Sequence, residues 1–223
     1  MKAVILAAGV GSRLGRPFPK SLSVLPDGER ILGRQIRILQ EARIKEIYIV
    51  VGFKKTLLME EYPQAFFCYN PVYYITNTSK SLLAAIERFD DDVLWVNGDV
   101  VFDPEVISEM LKADGNIIAV DKKRCAEEEV KYSLREDGTI REISKIVAHP
   151  QGEAVGVNLV RKESLQHFVE ALRRCDDQDY FEKGIEIMIQ EDAQFRPVDI
   201  SRYRCIEVDF AEDWQEAVRL FSK

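Results

Sequence analysis

The segment Ala7-Ala8-Gly9-Val10-Gly11-Ser12-Arg13-Leu14-Gly15-Arg16-Pro17-Phe18-Pro19-Lys20 carries the densest group of residues able to do chemistry in this chain. Small residues and glycines let backbone N–H groups approach an anion closely, and Arg13, Arg16 and Lys20 add fixed positive charge. A polyphosphate is the natural guest of such a loop. It is not a Walker A loop, because Gly15 is followed by Arg16-Pro17, so that loop's Lys and metal-binding hydroxyl are both missing. Nor is it the dinucleotide fingerprint GxGxxG, since Leu14 stands where the third glycine belongs. A divalent ion on the phosphates would need one or two carboxylates on the same edge of the molecule. Asp99, in Gly98-Asp99 after the apolar run Val93 to Asn97, and Asp209, after Cys205 to Val208, are candidates. Glu207 and Asp213 compete with Asp209, while Asp103 and Asp213 read as helix caps.

These residues need a frame to converge. The apolar pattern predicts a strand at Lys2 to Ala7, a helix at Ile31 to Ala42 and a strand at Ile47 to Val51. An extended segment at Ala65 to Tyr69, a helix at Ser79 to Arg88, a strand at Val93 to Asn97, a helix at Pro104 to Ala113 and a strand at Asn116 to Val120 follow. Continuous apolar strands alternating with helices predict right-handed βαβ units and a mostly parallel sheet covered on both faces. Ligands of such sheets bind at the carboxyl ends of the strands, where the loop begins. After Asp121, Val130 to Leu134 and Ile140 to Ile146 flank Glu136-Asp137-Gly138 and predict a β-hairpin insert within residues 120–150. A strand at Ala154 to Val160, helices at Glu163 to Cys175 and Phe181 to Glu191, a strand at Cys205 to Val208 and a helix at Trp214 to Phe221 close the chain. Residues 1–223 read as a single α/β domain, Rossmann-like, with helices on both faces.

The opening resembles the sugar-phosphate and alcohol-phosphate nucleotidyltransferases, whose signature is a strand followed by LAAGxGxRL and then PK. Here Leu6-Ala7-Ala8-Gly9-Val10-Gly11-Ser12-Arg13-Leu14 and Pro19-Lys20 fall in register. The resemblance implies the nucleotide-diphospho-sugar transferase fold and transfer of a nucleotidyl group from a nucleoside triphosphate to a phosphorylated acceptor, with release of pyrophosphate. It implies Leu6, Ala7, Ala8, Gly9, Gly11, Ser12 and Gly98 as nucleotide-binding residues and Arg13 and Lys20 as catalytic ones, Lys20 near the α-phosphate. Mg2+ on Asp99 and Asp209 would be the cofactor. Tyr69 to Leu82 is similar to the base-reading region of cytidylyltransferases for phosphocholine and related alcohol phosphates. That likeness implies CTP as donor and Asn77 and Ser81 as base contacts; the bland alternative is a helix start capped by Ser79. Glu153 and Gly156 match a Glu-x-x-Gly segment on the acceptor side, where Lys145, or Lys131, would take the acceptor phosphate. Tyr73, Tyr74, Trp95, Phe102 and Tyr132 are the aromatics from which a cage for a quaternary ammonium could be drawn, although most should be core. The acceptor is open between phosphocholine, inositol phosphate, a phosphonate and a hexose 1-phosphate, the last pointing to uridylyl or thymidylyl transfer.

Composition narrows the rivals. With 31 Lys+Arg against 38 Asp+Glu, the net charge of -7 argues against general nucleic-acid binding. No apolar run is long enough to cross a bilayer, so no membrane partner is expected, and Met1 to Gly11 reads as neither anchor nor signal. Cys68, Cys125, Cys175 and Cys205 lack close spacing and read as reduced thiols of a cytoplasmic protein. A nicotinamide-dependent oxidoreductase is disfavoured because Val50-Val51-Gly52-Phe53 stands where a ribose-gripping acid belongs. A non-catalytic nucleotide sensor would have no need of both Asp99 and Asp209. The assembly state is open, a homodimer included.

Overall fold

The computed structural model describes residues 1–11, 13, 15, 17–122 and 128–222. Ser12, Leu14, Arg16 and Cys125, named above, lie outside them. The central element is β1 (Lys2–Ala7), which pairs in parallel with β2 (Glu46–Val51) on one side and β4 (Val93–Asn97) on the other. β3 (Phe66–Tyr69) continues the sheet in parallel beyond β2. On the opposite side β9 (Gly152–Val160) runs antiparallel between β4 and β6 (Asn116–Asp121), and β10 (Phe195–Asp199) pairs in parallel with β6. β7 (Lys131–Leu134) and β8 (Ile140–Ser144) form the expected hairpin, attached to β9 through β7. β9 is antiparallel because the chain enters it from this hairpin rather than through a crossover helix.

Alternation along β1 sends side chains to two cores. Ala3, Ile5 and Ala7 pack with α1 (Ile31–Glu41) and α4 (Pro104–Lys112); Val4, Leu6 and Ala8 pack with α3 (Thr78–Ile86), α5 (Lys162–Arg174) and α6 (Phe181–Gln190). Trp95 lies in the second core, stacked on Phe168 at 5.1 Å and edge-on to Phe181 at 5.5 Å. Phe102 and Tyr132 are also fully buried, so Trp95, Phe102 and Tyr132 are core residues rather than a cation cage. A third, smaller cluster joins β5 (Val100–Phe102) to α7 (Ala211–Phe221) through Val101, Val208, Ala217 and Phe221. β5 pairs antiparallel with β11 (Cys205–Glu207), which brings the end of the chain beside Asp99.

Asp103 occupies the N-cap position of α4 as expected, but its side chain makes no capping hydrogen bond. Its carboxylate is held by Arg204, whose Nη2 donates to Oδ1 at 2.8 Å, and that contact ties the start of β11 to the end of β5. Asp213 lies inside α7, where its Oδ2 accepts from the backbone N–H of Phe210 at 2.7 Å and of Asp209 at 2.9 Å. α3 is capped by Asn77, whose side chain accepts from the Thr78 N–H, while Ser79 is buried within the helix. Three elements depart from the expected list. α2 (Lys55–Glu61) buries only Leu58, β5 has three residues, and β10 contains Pro197, which suits an outer strand where one N–H is dispensable. No helix among the described residues is long and apolar enough to cross a membrane.

Trp95 is fully buried and in contact with two other rings, so Trp95→Ala should cost about 3–5 kcal/mol by loss of burial plus the cavity left behind. The check is urea unfolding, in which the midpoint falls with an unchanged slope.

Candidate active site

The carboxyl ends of β1 and β4 face a cleft of about 590 Å³. Gly9, Gly11, Arg13 and Lys20 line it from the loop after β1, and Asn97, Gly98 and Asp99 line it from the end of β4. Glu207, Asp209 and Phe210 reach it from β11 and the entry to α7; Lys145, Glu153, Gly156, Tyr180 and Glu182 close the far side. Gly98 is required for the close approach of β4 to β1, because a Cβ there would lie 2.6 Å from the Leu6 carbonyl oxygen. Gly156 has φ +70°, and a Cβ would lie 2.6 Å from Asn97 Nδ2.

Lys20 stands at the centre. Its Nζ donates to Asp99 Oδ2 at 2.8 Å and to Asp209 Oδ1 at 2.7 Å. Burial alone would depress this ammonium, but the charge of Asp99 and the hydrogen bonds to Asp209 and Asp99 outweigh it and hold Lys20 above the ordinary lysine value. Arg13 also reaches Asp209, with Nη1 3.4 Å from Oδ2, and its guanidinium lies over the Phe210 ring at 5.5 Å. The two aspartates are held relative to each other by main chain, since the Val208 N–H donates to the Asp99 carbonyl at 3.0 Å.

Among the described residues no group of three or more His, Cys, Asp and Glu is arranged to hold a metal. The pair Asp99 and Asp209 nevertheless converges on one cation, as the Lys20 ammonium demonstrates. Two carboxylate oxygens sharing a cation, beside an open cleft that admits water and phosphate oxygens, fit the donor set of Mg2+. Glu207 lies beside them and accepts from Asn97 Nδ2 at 3.1 Å. Protein packed around it raises its carboxyl well above the ordinary range, and the charges of Asp99, Asp209 and Glu182 push the same way. The Glu207 side chain itself is exposed to the open cleft.

On the far side Lys145 Nζ lies 4.7 Å from the centre of the Tyr180 ring and 3.4 Å from Glu128 Oε2. Glu153 is buried on β9, and Lys131 Nζ is turned to the carbonyls of Glu129 and Lys145. Glu182 is 7% exposed, its Oε2 has no hydrogen-bond partner among the described residues, and it lines the cleft. Burial pushes its carboxyl up to about 7, with Lys145 opposing. Composition and spacing do not single out Tyr180 or Glu182. The only local signal is a glutamate in the first turn of a helix, which is common enough to be silent.

The remaining residues named from the sequence are divided between the cleft wall and other places. Leu6 and Ala7 line the cleft, while the Ala8 carbonyl accepts from the Phe53 N–H at 3.0 Å. Asn77 and Ser81 are not brought to the cleft wall. Asn77 caps α3 and donates to the Gln178 carbonyl at 3.3 Å, and Ser81 Oγ accepts from Asn70 Nδ2 at 3.0 Å. Asn70 also accepts from the Val72 N–H at 3.0 Å, so the NPxY stretch is a turn locked by its own asparagine. Thr78 is the residue of this segment that lines the cleft.

At the end of β1 a loop carrying glycines, Arg13 and Lys20 faces two aspartates that share one cation. Residues 3–136 match the family described as the MobA-like NTP transferase domain, and the chain belongs to that family. The matched span contains Lys20 and Asp99; Glu182, Glu207 and Asp209 lie beyond it. The whole chain aligns with the CMP-5'-(3-aminopropyl)phosphonate synthase of Streptomyces rubellomurinus at 29% identity, covering 39% of that longer protein. The chain is similar in fold to the inositol-1-phosphate CTP transferase of T. maritima, with TM-score 0.83, 15% identity and coverage of 98% and 95% of the two chains. It is similar to the same degree to the CTP:phosphocholine cytidylyltransferase of Streptococcus pneumoniae, with TM-score 0.82, 21% identity and 99% coverage of each chain.

The raised Glu182 carboxyl has a consequence for stability. A folded value of about 7 against an ordinary 4.5 means that the folded state binds the extra proton. Its contribution is therefore full below about pH 4.5 and is lost as pH rises through about 7, a swing of about 3 kcal/mol. Glu182→Gln removes this titration, so its melting temperature relative to the native chain should rise between pH 5 and pH 8.5. An unchanged difference would show that Glu182 does not titrate in this range.

Proposed function

We propose that this chain transfers a cytidylyl group from CTP to a small acceptor bearing a phosphate or phosphonate, releases pyrophosphate, and prefers an acceptor with a positive charge at its far end. The observation that carries the acceptor reading is the acidic lining of the cleft beyond the aspartate pair, with Glu182 and Glu153 on the far side beside Tyr180 and Glu207 on the wall from β11. Such a wall favours an ammonium and disfavours a second anion. The phosphonate synthase and the two CTP enzymes named above support cytidylyl transfer to acceptors of this size. A cytoplasmic location is part of the same reading.

The chemistry is an in-line attack of one anion on another, so the site must screen repulsion before the bond forms. Asp99 and Asp209 would hold Mg2+, which supplies charge neutralisation on the phosphate oxygens. Backbone N–H groups of the loop from Gly9 to Ser12, with Arg13, would bind the β- and γ-phosphates. Lys20, whose ammonium Asp99 and Asp209 hold above the ordinary lysine value, would bring positive charge to the α-phosphate. Lys145, already at the rim between Glu128 and Tyr180, would orient the acceptor phosphate. No covalent nucleophile is needed.

Pyrophosphate release should be measured with Mg2+ for CTP, UTP, ATP, GTP and dTTP against phosphocholine, inositol 1-phosphate, aminoethylphosphonate and glucose 1-phosphate. Release confined to CTP with an amine-bearing acceptor is the expected result; release with UTP or dTTP and glucose 1-phosphate would overturn the base and acceptor assignments. Lys20→Ala should lower kcat about a hundredfold or more, the usual loss for one transition-state contact. Unchanged turnover would remove Lys20 from the chemistry. KM for a cationic acceptor should fall as pH rises through about 7, where Glu182 ionises, and should lose this dependence in Glu182→Gln.

A further inference from the structure

Gln35, in the middle of α1, is 1% exposed and is not part of the cleft wall. Its Nε2 donates to the Asn97 carbonyl at 2.8 Å and to the Val100 carbonyl at 2.7 Å. These two carbonyls flank Gly98-Asp99. Because both partners are acceptors, the amide is oriented with its nitrogen toward the turn, and Oε1 is left without a partner among the described residues. Burying an unpaired amide oxygen is unfavourable, so the orientation is kept for the two bonds it makes. The turn is secured at two further points: the Gly98 N–H donates to the Leu6 carbonyl, and the Asp99 carbonyl accepts from the Val208 N–H, both at 3.0 Å. Of these contacts, Gln35 alone supplies a side chain.

We propose that Gln35 is a positioning residue that acts through Asp99. By drawing the carbonyls of Asn97 and Val100 onto one amide, it fixes the height at which the Asp99 carboxylate meets Lys20 and Asp209. In consequence it also fixes the register of Val208 and Asp209 against the turn. The turnover arm of the test rests on the proposed reaction; the structural arm does not.

Gln35→Met keeps the volume and removes both donors. Gln35→Glu keeps the shape and replaces the donors with acceptors, and carries the test where the Met variant fails to fold. In either folded variant, amide hydrogen exchange at Gly98 and Val208 should accelerate about tenfold or more, while exchange at Ile5 and Ile49 in the central strands stays at the native rate. In the pyrophosphate assay kcat should fall about tenfold or more with KM for the nucleotide within about twofold, as for a displaced catalytic group. Exchange that accelerates uniformly, or a native kcat in a variant with a loosened turn, would reduce Gln35 to a packing residue and overturn the proposal. Exchange needs no substrate, so absence of the proposed turnover in the native chain would sink that reaction and leave the positioning result readable.

Discussion

One ammonium group organises this molecule. Lys20 donates to Asp99 and to Asp209, partners separated from it by 79 and 189 residues in sequence. Holding three charged groups together is unfavourable unless each is paired, and two carboxylates that approach one another repel unless a cation lies between them. The fold therefore has to deliver the loop after β1, the end of β4 and the end of β11 to one point. The lysine both requires that arrangement and makes it tolerable.

The supporting frame can be traced outward from this point. β1 and β4 are neighbours in the sheet, so their carboxyl ends lie together without special provision, and Gly98 allows the final approach to Leu6. Asp209 needs more. It arrives on a separate two-stranded sheet, made by β5 and β11, which is secured by Arg204 on Asp103 and by the apolar cluster under α7. That part of the molecule carries no long strand, and its order rests on side-chain contacts in place of an extended ladder.

How much of this is visible in the sequence depends on how local the cause is. β1, β2 and β4 are buried on both faces and read as continuous apolar runs, so their positions follow from composition. Gly9, Gly11, Arg13 and Lys20 are also legible as a group that lines one cleft, because glycines and cations lie close together in the chain there. α2 is not, since only Leu58 turns inward, and β10 is hidden by Pro197. Asp103 is legible as the N-cap position of α4, but the use of its carboxylate is not, because that is decided by the distant Arg204. Asn77 and Ser81 illustrate the same limit, since their polar groups are satisfied by Thr78, Gln178 and Asn70, partners decided by the packing of α3 against the loop before α6. Glu182 becomes unusual only once α6 is docked, so no pattern within its own helix could announce it.

The dependence on β11 has a bearing on how the protein comes into being. A chain is made from its first residue onward, and the phosphate loop, Lys20 and Asp99 all emerge long before Asp209. Until the segment from Cys205 onward has left the ribosome, β5 has no partner and Lys20 has only one of its two carboxylates. A nascent chain can thus build most of the sheet while the cleft still lacks the wall that arrives with β11.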